Sequence, residues 1–123
     1  SCIIKNGDAH LKNFAVLYDA PGINVRLAPV YDMLSTAPYL PKDIMALEID
    51  GSKAYPTLAQ LMGFARSACG LSKQTAAGVM HQVAQGVALA LNEMQHYAAS
   101  KPDFATSAAH FSQVFREGIS LYR

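Results

Sequence analysis

The chain has 123 residues, 51% of them hydrophobic and 15% charged, with ten basic residues against nine acidic ones and a formal net charge of +1. That length allows one domain with a real core and excludes two comfortable ones, and the hydrophobic content excludes disorder. The charge balance, with no basic run, speaks against direct binding to nucleic acid.

The low charge also suggests that part of the surface is normally covered. Cys2 and Cys69 form no Cys-x-x-Cys or Cys/His cluster at metal spacing, and two scattered thiols suit a reducing cytoplasm. No apolar run approaches the ~18–20 residues that span a bilayer, and no signal peptide is evident, so no membrane role is expected. The opening Ser1-Cys2-Ile3-Ile4 lacks an initiator Met and enters a motif-rich stretch at once. It reads as a chain cut inside a larger protein.

In chain order, Phe14–Tyr18 and Ile23–Leu27 are two strand-prone runs around Pro21-Gly22, which predicts a β-hairpin. Pro29, Pro38 and Pro41 then impose irregular structure. Met45–Ile49 followed by Asp50-Gly51 predicts a second, short hairpin. From Thr57 the pattern turns helical. Pro56, Thr57 and Gln60 form a capping-box signature, apolar residues recur from Leu58 to Ala65, and Gly70 supplies a stop.

Ser72 caps the next helix, whose apolar stripe runs from Ala76 through Val83 and Leu91 to Met94. At ~1.5 Å per residue such a helix spans nearly 40 Å. Gly78 and Gly86 within it are expected to admit a close neighbour. After the break at Ser100–Asp103, Phe104, Ala108, Phe111, Phe115 and Ile119 mark a third helix. The three helices are expected near residues 57–69, 73–98 and 103–121, with the first two supporting the N-terminal loop through apolar contacts. The chain is read as one domain, 1–123. Residues 1–36 form loops and a hairpin, and 57–123 form a helical bundle. The fold class is α+β, mainly α.

The chemistry concentrates in Asn6-Gly7-Asp8-Ala9-His10-Leu11-Lys12-Asn13-Phe14. An Asp followed five residues later by an Asn is the catalytic-loop spacing of protein kinases. Phosphoryl transfer needs those types: a carboxylate to orient the acceptor hydroxyl and take its proton, and an amide oxygen on a divalent cation. A second acid should follow a short hairpin, and Asp32 in Tyr31-Asp32-Met33 does so. The plain alternative is that Asp8 and Asn13 cap local backbone groups in a turn, and that Asp32 caps a short helical turn. His10 suits loop bracing, and Lys12 is either a phosphate contact or an ordinary solvated lysine. His81, His96 and His110 have no companions at ligand spacing.

The wording of residues 6–14, together with Leu27-Ala28-Pro29-Val30-Tyr31-Asp32-Met33-Leu34-Ser35-Thr36, resembles the two signature stretches of HipA-like serine/threonine kinases. Gly7-Asp8-x-His10-x-x-Asn13 is also similar, more distantly, to the catalytic loop of phosphatidylinositol 3- and 4-kinases. The HipA resemblance implies the C-lobe of a protein-kinase-like fold, with Asp8 as catalytic base and Asn13 and Asp32 as Mg²⁺ ligands. Lys12 and His10 would support the phosphate or the loop. It implies ATP as co-substrate, a translation-related protein substrate in the cytoplasm, and a helix-turn-helix antitoxin as partner. The nucleotide-covering N-terminal lobe of such a kinase would be missing from this chain, leaving the isolated piece inactive. A non-catalytic helical protein-binding module is the alternative of another class. A metal-dependent hydrolase using Asp8, His10 and Asp32 is a third.

Overall fold

The order of elements in the computed structural model, which describes Ser1–Tyr122, follows the two regimes of the sequence. A 3₁₀ turn at Cys2–Ile4 and a second at Leu11–Asn13 precede the strands β1 (Val16–Leu17) and β2 (Arg26–Leu27). Helices α1 (Leu58–Ser67), α2 (Lys73–Ser100) and α3 (Ala105–Tyr122) follow, a 3₁₀ turn at Pro102–Phe104 leading into α3. The fold is α+β and mainly α.

The hairpin is antiparallel, with Val16 opposite Leu27 and Leu17 opposite Arg26. Pro21 and Gly22 occupy the centre of its tip, where Gly22 takes φ 77° and Ile23 N–H donates to Ala20 O at 2.8 Å. Proline followed by a left-handed glycine is the chemistry of a type II turn. Asn24 Nδ2 braces the tip by donating to Asp19 Oδ2 at 2.7 Å. The ordered ladder is shorter than the two strand-prone runs, because the described residues cover little of either face. Val16, Tyr18, Val25 and Leu27 are all at least half exposed. The second hairpin reduces to one bridge between Ile49 and Ser52. Asp50 and Gly51 both lie at positive φ there, as a tight two-residue turn requires.

The helices begin where their caps predict. Thr57 accepts from the Gln60 amide while Gln60 Oε1 accepts from Thr57 N–H, a reciprocal capping box. Ser72 accepts from Thr75 N–H at 3.0 Å to open α2. Gly70, at φ 64°, turns the chain between α1 and α2. The short link from α2 to α3 returns the chain along α2, and Tyr97 and Phe104 stack edge to face at 5.5 Å across it.

At the centre lie Ile3, Ile4, Ala84 and Tyr122, with Leu58, Leu61, Met80, Val87, Phe115 and Ile119 packed around them. The N-terminal turn is therefore the wedge of the helical bundle. Its closest approach is to α3, where a Cβ built on Gly118 would fall 1.8 Å from the Ile3 carbonyl oxygen. Gly78 and Gly86 do not play the part expected of them, since an added Cβ at either meets nothing within 4 Å. The close approach lies on the other long helix.

Lys5 Nζ continues the docking outward, meeting Glu117 Oε2 at 3.0 Å. That contact, with help from Gln113, holds the Glu117 carboxyl below its ordinary range. At this exposure the pair contributes at most about 1 kcal/mol. Tyr122 closes the other side, its hydroxyl donating to Pro56 O at 2.5 Å. Both cysteines are free thiols, and no described helix is long and apolar enough to cross a membrane.

Gly118→Ala should lower stability by about 2–3 kcal/mol, because backbone must move to admit the methyl group. Gly78→Ala should raise it by about 0.5–1 kcal/mol, and thermal denaturation separates the two. Burial also pushes the Tyr122 phenol up to about 12 from 10.0. A raised pKa favours the neutral form in the fold, so this contribution is complete below pH 10 and fades as pH climbs towards 12. Tyr122→Phe should remove part of that alkaline loss, while costing about 1 kcal/mol at neutral pH.

Candidate active site

Residues 5–14 leave the core as a run of tight turns, each closed by a nearby polar group. Lys5 is left-handed, at φ 49°. Asn6, only 3% exposed, turns its Oδ1 to accept from Asp8 N–H at 3.0 Å, an Asx turn. His10 N–H donates both to Asp8 O at 2.8 Å and to Asn13 Oδ1 at 3.0 Å. Asn13 N–H returns to His10 O at 3.0 Å, closing the second 3₁₀ turn.

The hairpin then carries the chain out and back, so that Asp32 meets Asn13. Asn13 Nδ2 donates to Asp32 Oδ2 at 2.8 Å across 19 positions of sequence. Asp32 reaches this point with a left-handed backbone, φ 52°. Tyr31 fastens the same crossing, its hydroxyl donating to the Lys12 carbonyl. The two sequence stretches singled out for their chemistry thus converge on one cleft of about 260 Å³, lined by Asn13 and Asp32 together with Asn6, Ala9, Phe14 and Tyr31.

Asp8 stands differently. Its side chain is exposed and lies outside that lining, although Asn6 and Ala9 on either side contribute to it. Its backbone, by contrast, is held on both sides, by Asn6 Oδ1 and by His10 N–H. Lys12 is exposed, and the bond it makes in the loop is through its carbonyl. His10 braces the loop through its main chain. Its ring Nδ1 is buried with no hydrogen-bond partner among the described residues.

The donors at the crossing suit a hard divalent cation. Asn13 Oδ1 keeps a lone pair beyond the one His10 N–H uses, and the Asp32 Oδ1 oxygen takes no part in the bond to Asn13. Mg²⁺ takes few protein oxygens and retains water or phosphate at its other positions, so two adjoining side chains are a fitting set. Among the described residues, no group of three or more His, Cys, Asp or Glu side chains could hold a metal.

Sequence reasoning missed the polar residues that anchor this loop. Ser35 and Thr36 are buried, at 4% and 8% exposure, and both bind the first turn. Ser35 Oγ donates to Ile4 O, and Thr36 N–H donates to Lys5 O at 3.1 Å. Asp43 joins them through the Thr36 hydroxyl. Adjacent small hydroxyls after an apolar run are a signal for buried capping, but nothing local marks Asp43. The scaffolding also differs from expectation. The 3₁₀ turn that starts the loop is held chiefly by α3, with α2 behind it, and α1 adds only Leu58 and Leu61 to the shared core.

Fold and site together define a helical domain whose N-terminal loop and hairpin bring Asn13 and Asp32 together, with Asp8 exposed on the same loop. The model of the family described as "HipA-like C-terminal domain" matches residues 1–91, and the chain belongs to that family. Two proteins of Sinorhizobium fredii (strain NBRC 101917 / NGR234) are similar to parts of it. "Putative kinase Y4mE" is 51% identical over 37 residues, 30% of this chain and 8% of that protein. "Putative kinase Y4dM" is 39% identical over 61 residues, 49% of this chain and 15% of that protein. The matches therefore span a small part of either relative's length. No solved structure matches the chain.

The bonds at the crossing predict an asymmetry between its two partners. Asn13→Ala removes the acceptor of His10 N–H and the donor to Asp32, and should cost about 1–2 kcal/mol. Asp32→Asn keeps an acceptor oxygen and a residue tolerant of positive φ, and should cost under about 0.5 kcal/mol. Chemical denaturation of both variants measures the difference.

Proposed function

We propose that this chain is the C-terminal part of an ATP-dependent serine/threonine protein kinase of the HipA toxin type. The observation that carries the reading is the 2.8 Å bond between Asn13 and Asp32, which brings two motif stretches from either side of a hairpin to one cleft. Phosphoryl transfer asks little covalent chemistry of a protein. It asks for positioning of two substrates and compensation of phosphate charge.

In this reading Asn13 and Asp32 hold Mg²⁺, which when bound offsets the charge of the nucleotide phosphates. Asp8 orients a serine or threonine hydroxyl and accepts its proton. Its exposure suits a group that must meet a protein substrate arriving from solvent. Its braced backbone suits a group that must not wander. Lys12, exposed on the same loop, is available to the transferred phosphate as a point charge. His10 keeps a bracing role through its main chain.

The relatives are far longer than the segments matched, so nucleotide covering belongs in this proposal to chain outside these 123 residues. The cytoplasmic setting, the translation-related substrate and a helix-turn-helix antitoxin as partner are parts of the same proposal, supported by family membership.

The decisive variant is Asp8→Asn in the full-length protein. Phosphotransfer from ATP should fall by at least about 10²-fold, as expected for a lost general base. The melting temperature should stay within about 1 °C, because the side chain is exposed and the change isosteric. Turnover close to wild type would remove Asp8 from the chemistry, and the non-catalytic binding module would become the better account.

A further inference from the structure

We infer that Asp43, acting through the Thr36 hydroxyl, is a positioning residue for Asp8; the inference rests on the catalytic reading of Asp8 proposed above. Among the described residues Asp8 makes no side-chain hydrogen bond or ion pair that would fix its carboxylate, so its placement is decided by the backbone on either side. On the N-terminal side that backbone is Gly7, which is buried, and Gly7 N–H donates to Thr36 Oγ1 at 2.8 Å.

The direction of the remaining bonds follows from counting protons. A hydroxyl has one proton and two lone pairs. Thr36 Oγ1 already accepts from Gly7, and two acceptors lie within reach of its proton, Lys5 O at 3.0 Å and Asp43 Oδ2 closer still. Lys5 O is already served by Thr36 N–H at 3.1 Å and Ala37 N–H at 3.4 Å. A carboxylate is a stronger acceptor than a carbonyl, and among the described residues that oxygen accepts no other hydrogen bond, so it takes the proton. The other oxygen, Asp43 Oδ1, accepts from Ile44 N–H at 3.0 Å, which sets the plane of the carboxylate. A polarised chain results, running from Gly7 N–H to the Thr36 hydroxyl and on to the Asp43 carboxylate.

The clasp is steric as well as polar. A Cβ built on Gly7 would lie 2.0 Å from Asp43 Oδ2 and 2.6 Å from Ile44 O. Asp43 thus presses on the face of Gly7 while Thr36 holds its amide, leaving the peptide leading into Asp8 one position. Thr36 is also four residues beyond Asp32 and is tied by its own amide to Lys5. The same residue therefore fixes the spacing between the Asp8 stretch and the Asp32 stretch, though Asp43 touches neither acid.

The test uses the full-length protein carrying Thr36→Val, Thr36→Ser or Asp43→Asn, with two readouts. The first is amide hydrogen exchange in the peptide covering residues 2–10. The second is steady-state phosphotransfer with varied ATP. Thr36→Val should speed Gly7 exchange by about tenfold or more and lower kcat by about 10²-fold, the scale of a catalytic group displaced by an ångström. The KM for ATP should remain within about twofold. Thr36→Ser, which keeps the hydroxyl, should restore both readouts, and Asp43→Asn should fall between. Unchanged exchange at Gly7 in Thr36→Val overturns the clasp whatever the activity does. A loss of kcat that Thr36→Ser fails to restore, or that comes with an equal rise in KM, overturns the positioning role. If the wild-type protein transfers no phosphate, the catalytic reading falls and with it the role towards Asp8. The exchange data then report on the clasp alone, and Thr36→Ser and Asp43→Asn supply them even if Thr36→Val does not fold.

Discussion

Burial of the first turn between α2 and α3 is the constraint on which the rest of the molecule depends. Ile3 and Ile4 are at most 9% exposed, and each contributes about 1.5–3 kcal/mol by leaving water. Gly118 allows that turn to sit directly on the α3 backbone, so the contact is made by main chain on both sides and leaves little room to slide. Everything polar begins within the next four residues. Lys5 carries the ion pair to Glu117, Asn6 the Asx turn, Gly7 the bond to Thr36, and Asp8 the exposed acid. A helical bundle that buries an N-terminal wedge thereby delivers a loop of defined shape to its surface without any sheet beneath it.

The backbone groups of the 1–14 loop are satisfied partly by main-chain bonds within its own tight turns and partly by side chains, those of Asn6 and Asn13 within the loop and those of Tyr31, Ser35 and Thr36 beyond it. Asn6, Asn13, Ser35 and Thr36 each bond a main-chain group of the 1–14 segment. A buried amide or carbonyl without a partner costs about 1–3 kcal/mol, so each of these bonds matters more for what it prevents than for its own strength. The hairpin supplies reach rather than stability. Its two strands share a short ladder and expose apolar side chains on both faces. Its part is to return the chain so that Asp32 lands on Asn13.

Much of this was legible in the sequence where the signal is local and periodic. The Thr57/Gln60 box and the Ser72 cap set the starts of α1 and α2, because capping is decided within four residues. Pro21-Gly22 gave away the hairpin for the same reason. The convergence of residues 6–14 with residues 27–36 was readable only as wording, since no periodicity links positions nineteen apart. The clasp was invisible. Asp43 acts on Gly7 through Thr36, and each of the three lies in a separate stretch of irregular chain. The glycines of α2 misled for a complementary reason. A glycine in a helix shows that a side chain is absent, and says nothing of whether a neighbour fills the space, as Gly118 does and Gly78 does not.

The left-handed backbone of Asp32 narrows what can stand at that position more than its chemistry does. A carboxylate at the crossing could be offered by aspartate or glutamate. A φ of 52° is tolerated with little cost by glycine, asparagine and aspartate, and resisted by longer or branched side chains. The two sets overlap in a single amino acid. On the proposed reading, in which a charge is needed there, conformation and charge are jointly exclusive, and asparagine would keep the fold of the crossing without its charge.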